Sequence, residues 1–362
     1  MSKFFGALRI EVRFTTTGKM HCQERQAQVI WSARRYMSTE PVDRKLKVLW
    51  LVLKVAISFG LLYALVRIID AGRLYAVVAA ARMDVAAAAV LVFTAGQLLS
   101  GQRWRLILAS ADVTIPLSKA VQLNLVSLYV SNFLPGMGSG DIVRPLYLIR
   151  SFPTKKQFLF ASVIFDRLNG ICAILVLSGV GAAWVAAVRD DWRFLIMVAC
   201  LILLLGCALV AARGVASWGK RFRWSPAFWA KLDTFVETLV VLTRNGRLVA
   251  KALSFSILFQ LTWVIMWWLC LRAVGSDTSI FVVFVAASLS LILAMVPLSL
   301  NGLGLREGAA VYMLTQLGVP TDLAISGTFL TLLPMILLSL LGGVAAIGAG
   351  RQEETKTASA PK

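Results

Sequence analysis

Histidine is almost missing from this chain of 362 residues. Its single copy, His21, lies in a polar N-terminal stretch. A histidine-ligated metal, or a histidine-activated nucleophile, is thereby excluded from the apolar part. The five cysteines form no CxxC pair, and Cys172, Cys200, Cys207 and Cys270 sit in apolar runs, where they read as packing residues. No GxxxxGK[ST] segment occurs, which excludes a Walker-type nucleotide site. Charged residues make up 15% of the chain, against roughly 25% in a soluble domain. Residues 1–46 are polar and basic with no apolar core, so they are not a cleavable signal peptide.

What fills the chain instead is apolar: 59% of it is hydrophobic and its mean hydropathy is +0.78. Lipid offers backbone groups no hydrogen bonds, so spanning segments must be helices or a closed barrel. The apolar runs here are too long and unbroken for barrel strands. The expected fold is an all-α polytopic membrane protein with about eight transmembrane helices. They fall at 47–69, 84–102, 118–135, 158–188, 192–212, 249–271, 280–297 and 322–349. Two short broken or re-entrant helices, 140–150 and 302–317, complete the set. Residues 1–46 read as a basic cytoplasmic arm, whose first 36 residues are disordered or lie ahead of a natural start at Met37. Residues 47–349 form the transmembrane domain, and 350–362 a cytoplasmic tail.

The net charge of +19 sits in loops and tails, so it reports topology and contact with anionic lipid rather than nucleic acid. With the N-terminus cytoplasmic, the inner side receives Arg103, Arg105, Lys119, Arg150, Lys155, Lys156 and the loop 213–248. The outer side receives nearly balanced charges, among them Asp70, Arg73, Asp190 and Asp191. This bias predicts a multi-pass inner-membrane protein with both termini cytoplasmic and both short helices crossing. Within the basic loop, Ser225 and Pro226 mark the start of an amphipathic helix, lying on the membrane surface or packed on the spans.

Two glycine-rich stretches share one spacing. In LPGMGSGDIVRP, Pro135 is followed by Gly140 five residues on and Arg144 nine residues on; in VPLSLNGLGLRE, Pro297, Gly302 and Arg306 repeat those offsets. Matched interruptions of this kind mark a transporter built from internal repeats. The topology above makes the two repeats, about 84–188 and 249–349, inverted copies.

Six charged residues fall at membrane depth: Asp141, Arg144, Asp166, Arg167, Arg306 and Glu307. Unpaired, they would together cost roughly 15–20 kcal/mol on insertion scales. They must pair, face water or bind a charged ligand. Asp141 and Arg144, three apart, can meet on one helix face. Asp166 and Arg167 point in different directions, as do Arg306 and Glu307. Cross-repeat pairs, Asp166 with Arg306 and Glu307 with Arg144, are therefore expected. Asp141 or Ser139 is expected to cap the first short helix and Asn301 the second. Gly136, Gly138, Gly140, Gly302 and Gly304 let other groups approach the backbone closely. Helix ends flanked by Arg144 and Arg306 suit a phosphate. Gln97, Asn124, Asn132, Asn169 and Gln260 read as interhelical glue, and Trp267 and Trp268 as interfacial anchors.

The segments GQRWRLIL (101–108), LPGMGSGDIVRPLYLI (134–149), ASVIFDRLNG (161–170) and VPLSLNGLGLREGAAVYMLTQLGVP (296–320) resemble, in order and spacing, the transmembrane region of lysylphosphatidylglycerol synthases, a flippase-like family. The GxGxRE piece is the most specific. Where the family often carries Glu, this chain has the shorter Asp166. The resemblance implies transfer of a polar lipid between leaflets. The chain ends about a dozen residues after its last span, so it is not expected to make an aminoacylated lipid.

The function expected is a lipid translocase acting on an anionic or zwitterionic, phosphate-bearing membrane lipid, with no cofactor implied. Arg144 and Arg306 would bind phosphate, with Asp141, Asp166 and Glu307 balancing them in the empty site. Two other readings stand beside it. One is an integral-membrane transferase using Asp141, Asp166 or Glu307 as base or metal ligand. The other is a regulator that partners a lipid-synthesis enzyme through the loop 213–248.

Overall fold

A computed structural model describes residues 79–133, 140–203, 237–294 and 302–358, with Gly60, Tyr63, Val77 and Ser299. Among these residues all regular structure is helical. The elements are α1 (Met83–Ala109), α2 (Leu117–Phe133), α3 (Val143–Ile149), α4 (Lys156–Arg189) and α5 (Arg193–Leu203). They continue with α6 (Gly246–Ala273), α7 (Ile280–Ala294), α8 (Leu305–Gln316), α9 (Thr321–Leu330) and α10 (Leu332–Ala358). The expected arm 1–46, the span 47–69 and most of the basic loop lie outside the described residues.

Local chemistry sets the helix ends. Pro153 opens the 3-10 turn that leads into α4, where a missing N–H costs nothing. The Asn245 side chain accepts from Leu248 N at 3.1 Å and starts α6. α1 stops where Asp112 turns left-handed (φ 54°) and Val113 N donates back to Leu108 O. Between α9 and α10 the chain breaks at Thr331, just before Pro334, which cannot donate to the preceding turn. The span expected at 322–349 is one apolar helical stretch, Thr321–Ala346, with a one-residue break at Thr331.

Four helical stretches are long and apolar enough to cross a bilayer: Met83–Ala109, Pro153–Arg189, Gly246–Ala273 and Thr321–Ala346. α2 and α7 are described over 17 and 15 residues, up to Phe133 and Ala294.

The order long, medium, short, long recurs in α1–α4 and in α6–α10. Arg82 N, at the head of α1, donates to Ala273 O at the foot of α6, while Arg103 near the end of α1 meets Ser256 near the start of α6. The two leading helices therefore run antiparallel. That is the relation an inverted repeat requires. The flanking contacts obey the same relation. In the first, α4 meets α7, with Trp184 stacked on Phe281 at 5.2 Å. In its counterpart α10 meets α2, where Asn132 donates to Ser339 at 2.6 Å. Each contact closes on a glycine. A Cβ on Gly181 would sit 2.7 Å from Phe284, and one on Gly342 would sit 2.0 Å from the Leu125 carbonyl.

The main core gathers around the α1–α6 crossing and the helices against it. Trp267, expected at an interface, is fully buried there, because its helix face turns to the repeat partner rather than to the lipid boundary. Trp268 is half-buried and donates to Thr278 O at 3.0 Å. The described end of the basic loop, 237–244, is helical, and its Leu242 joins a buried cluster with Ile107 and Phe165.

Candidate functional site

α1 turns one face inward: Ala89, Phe93, Gln97, Ser100 and Arg103 recur three or four apart, Trp104 lies beside them, and all are buried. Hydropathy alone ends this span at residue 102, but the helix continues to Ala109 and carries Arg103 into the protein. α4 presents Asp166 inward and Arg167 outward, as expected for adjacent helical residues. Asp166 is 2% exposed, whereas the Arg167 side chain is 49% exposed. The 3-10 turn Gly140–Ile142 brings Asp141 within reach of Arg144, one turn on.

These side chains form one ion-paired chain. Arg103 Nε donates to Asp166 Oδ1 at 2.5 Å, and Arg144 Nη1 donates to Asp166 Oδ2 at 3.2 Å. Arg144 Nη2 donates to Asp141 Oδ1 at 2.7 Å, and Arg167 pairs with Asp141 Oδ2. Neutral groups hold the chain in place. Asn124 accepts from Arg144 at 3.2 Å and donates to Ser100, while Ser256 accepts from Arg103 at 2.9 Å. The Arg144 guanidinium lies 5.2 Å from the centre of the Trp104 ring, and Arg103 lies 5.5 Å from Phe259. Trp104 itself is fixed by donating to Ser162.

The five charges line a cavity of about 250 Å³ between the repeats. Gln97 from α1 and Gln260 from α6 also line it, and so do Phe259, Trp263 and Leu291 of the second repeat. Two buried donors of lining residues, Arg144 Nε and Trp263 Nε1, have no hydrogen-bond partner among the described residues.

The second motif is built differently. Gly302 (φ 77°) and Gly304 (φ 81°) take left-handed conformations that side chains resist, and a Cβ on Gly302 would meet Ala294 at 2.5 Å. This turn aims the Gly304 N–H at Glu307 Oε2, 2.7 Å away, so Glu307 caps α8 from its own first turn. The other oxygen of Glu307 accepts from Arg306. Both residues are buried, and neither lines the cavity.

Several expectations change accordingly. The cross-repeat pairs do not form: Asp166 is taken by Arg103 and Arg144 of its own repeat, and Glu307 by its neighbour Arg306. Adjacent residues can pair here because Glu307 bends back to the helix start, where Arg306 folds over it. Asp141 spends its carboxylate on arginines and Ser127 rather than on a cap, and the N-cap of α3 is Ile142 with no side-chain cap. Asn301, Gly138, Gly136 and Ser139 lie outside the described residues, and the N-cap of α8 is Gly304. Gly140 packs tightly, its N–H donating to Ser131 Oγ at 2.9 Å.

The sequence profile of the family described as "Lysylphosphatidylglycerol synthase TM region" matches residues 51–343. A "UPF0104 membrane protein" of Methanothermobacter thermautotrophicus is 24% identical over 280 residues, covering 69% of this chain and 79% of the relative. "UPF0104 membrane protein PH1989" of Pyrococcus horikoshii is 19% identical over 287 residues, covering 72% of this chain and 85% of the relative. The profile spans both glycine motifs and all five residues of the ion-paired chain. This integral membrane protein therefore belongs to the family of the lysylphosphatidylglycerol synthase transmembrane region.

Proposed function

We propose that this protein moves a polar, phosphate-bearing lipid between the leaflets of the inner membrane. One observation carries the reading: a cavity between the α1–α4 segment and the α6–α10 segment is lined by alternating guanidinium and carboxylate groups, four of the five buried or nearly so. Charge at membrane depth is costly and persists where it serves a polar cargo. Inverted repeats supply two related conformations with access from opposite faces.

Each resident part has a role in this reading. Arg144 binds the phosphate from the cavity floor, with Asn124 and Trp104 holding its plane. Arg167 receives the head group at the lipid edge. Asp141 and Asp166 stand in for the phosphate while the site is empty, so the arginines are never left unpaired in a low dielectric. Every carboxylate oxygen of this pair accepts from an arginine. That occupancy favours charge balancing over proton abstraction, and translocation over group transfer. An anionic head group moving outward across a negative-inside membrane gains about 2.3 kcal/mol per charge per 100 mV, so no nucleotide is needed. Arg306 and Glu307 then maintain the short helix α8 rather than the cargo.

Reconstitution tests the proposal. Purified protein in liposomes containing a head-labelled phosphatidylglycerol is expected to expose inner-leaflet label to a membrane-impermeant quencher faster than protein-free liposomes do. The Arg144→Ala protein, shown to be folded, is expected to lose the acceleration. Equal rates for empty liposomes and for liposomes carrying wild-type protein would end the proposal.

A further inference from the structure

The charges lining the cavity alternate along one path: Arg103, Asp166, Arg144, Asp141, Arg167. Each aspartate gives one oxygen to the arginine on either side. A path of this kind ends on a cation twice, so three positive groups face two negative ones. No other charged residue lines the cavity among the described residues, which leaves the lining at one net positive charge. The acid of the second motif does not correct the balance, since Glu307 is spent on Arg306 and on the Gly304 N–H.

We infer, resting on the lipid reading above, that the cavity selects a compact head group of one net negative charge, a phosphodiester, over zwitterionic, cationic and doubly charged head groups. A monoanion brings the lining to neutrality, its charge meeting the excess at half-exposed Arg167. A zwitterion leaves the excess charge in place, a cation adds to it, and a dianion overshoots it. A head group that covers Arg167 strips water from it, and an uncompensated charge buried in this way is unfavourable whichever sign is left over. Size restricts the choice further. About 250 Å³ lies below the roughly 300–1,000 Å³ of pockets that hold drug-sized ligands. A phosphodiester with a small alcohol fits that space. Donors stand ready for the phosphate oxygens, because Arg144 Nε and Trp263 Nε1 are buried without partners among the described residues.

The lipid edge is marked as well. Arg167 is the one half-exposed member of the path. It shares an outward stripe of α4 with Phe160 and Ile164, and exposed Ile142 and Leu146 stand on the segment that carries Asp141. Acyl chains stay against those apolar residues while the head group reaches Arg167 first and Arg144 next.

The test is native mass spectrometry of the purified full chain with defined lipids at pH 8. The panel is phosphatidylglycerol, phosphatidylcholine, lysyl-phosphatidylglycerol and phosphatidic acid, whose monoester carries close to two charges at this pH. Wild-type protein is expected to retain phosphatidylglycerol over phosphatidylcholine by about tenfold, equivalent to about 1.4 kcal/mol. Arg167→Gln makes the lining neutral, and its preference is expected to fall to parity. Asp141→Asn makes the lining doubly positive and is expected to move the preference to phosphatidic acid. Parity in wild type, or an unchanged order in Arg167→Gln, overturns the charge rule. The half-exposed Arg167 site decides the matter even if Asp141→Asn fails to fold. Soluble glycerophosphoglycerol separates a lipid from a free diester: binding weaker by about tenfold or more supports a lipid, and parity overturns the lipid source. Selectivity without flipping would sink the transport reading alone, and flipping without selectivity would sink only the charge rule.

Discussion

Asp166 is the joint on which the buried charge path turns, and its neutralisation is the most informative perturbation of stability. Its carboxylate bridges Arg103 at 2.5 Å and Arg144 at 3.2 Å, and all three residues are buried. Asp166→Asn keeps the shape and one acceptor but removes the charge. Arg144 retains Asp141, so its loss is partial. Among the described residues Arg103 retains the Ser256 hydroxyl and the Phe259 ring. Leaving one buried charge unpaired costs about 3–5 kcal/mol. Removing both partners should undo most of that loss, since apolar replacement of a buried pair is near neutral or stabilising by about 1–4 kcal/mol. The double variant Arg103→Met with Asp166→Leu is therefore expected to be more stable than either single one. Unfolding by denaturant titration in micelles, followed by tryptophan fluorescence, measures the cycle. A coupling energy of about 2–4 kcal/mol is expected. Strict additivity would refute the pairing and the charge path built on it.

Other consequences follow from packing and backbone geometry. Gly181→Ala drives a methyl into Phe284 and should cost about 1–3 kcal/mol, whereas Gly179→Ala, two residues away with open space around it, should leave the melting temperature unchanged. Gly304→Ala forces a side chain into a left-handed conformation and should destabilise by about 1–2 kcal/mol, read from the same melts. Glu307→Gln keeps an acceptor for the Gly304 N–H but leaves Arg306 without its counter-charge, so a loss of about 3–5 kcal/mol is expected. Cys172 should react with a lipid-permeant thiol reagent in the folded protein, and buried Cys270 only after unfolding.

The sequence made the helices legible because they rest on a simple quantity, the length of the apolar runs. α1 and α6 meet antiparallel, as the expected inversion would require. The pair Asp141–Arg144 was legible because three residues fix a distance within one turn. Partner choice beyond one turn was not. Whether Asp166 meets Arg306 or Arg103 depends on how helices cross, which no local pattern encodes. Arg103 itself carried a signal that hydropathy hides. It continues the buried stripe Ala89, Phe93, Gln97, Ser100, and a residue on that stripe belongs to the interior even when charged. The asymmetry of the two glycine motifs was equally hidden. Their spacing is the same, yet one exposes its arginine to a cavity and the other folds its arginine over a helix cap.

The central claim is that one anionic lipid head group occupies the cavity between the inverted repeats. An experimental structure of the protein in nanodiscs of phosphatidylglycerol tests it most directly. A phosphate within hydrogen-bond distance of Arg144 and Arg167, with Asp141 shifted away from one of them, is the result expected. Phosphates found only around the protein's rim, with all five charges still paired among themselves, would contradict it.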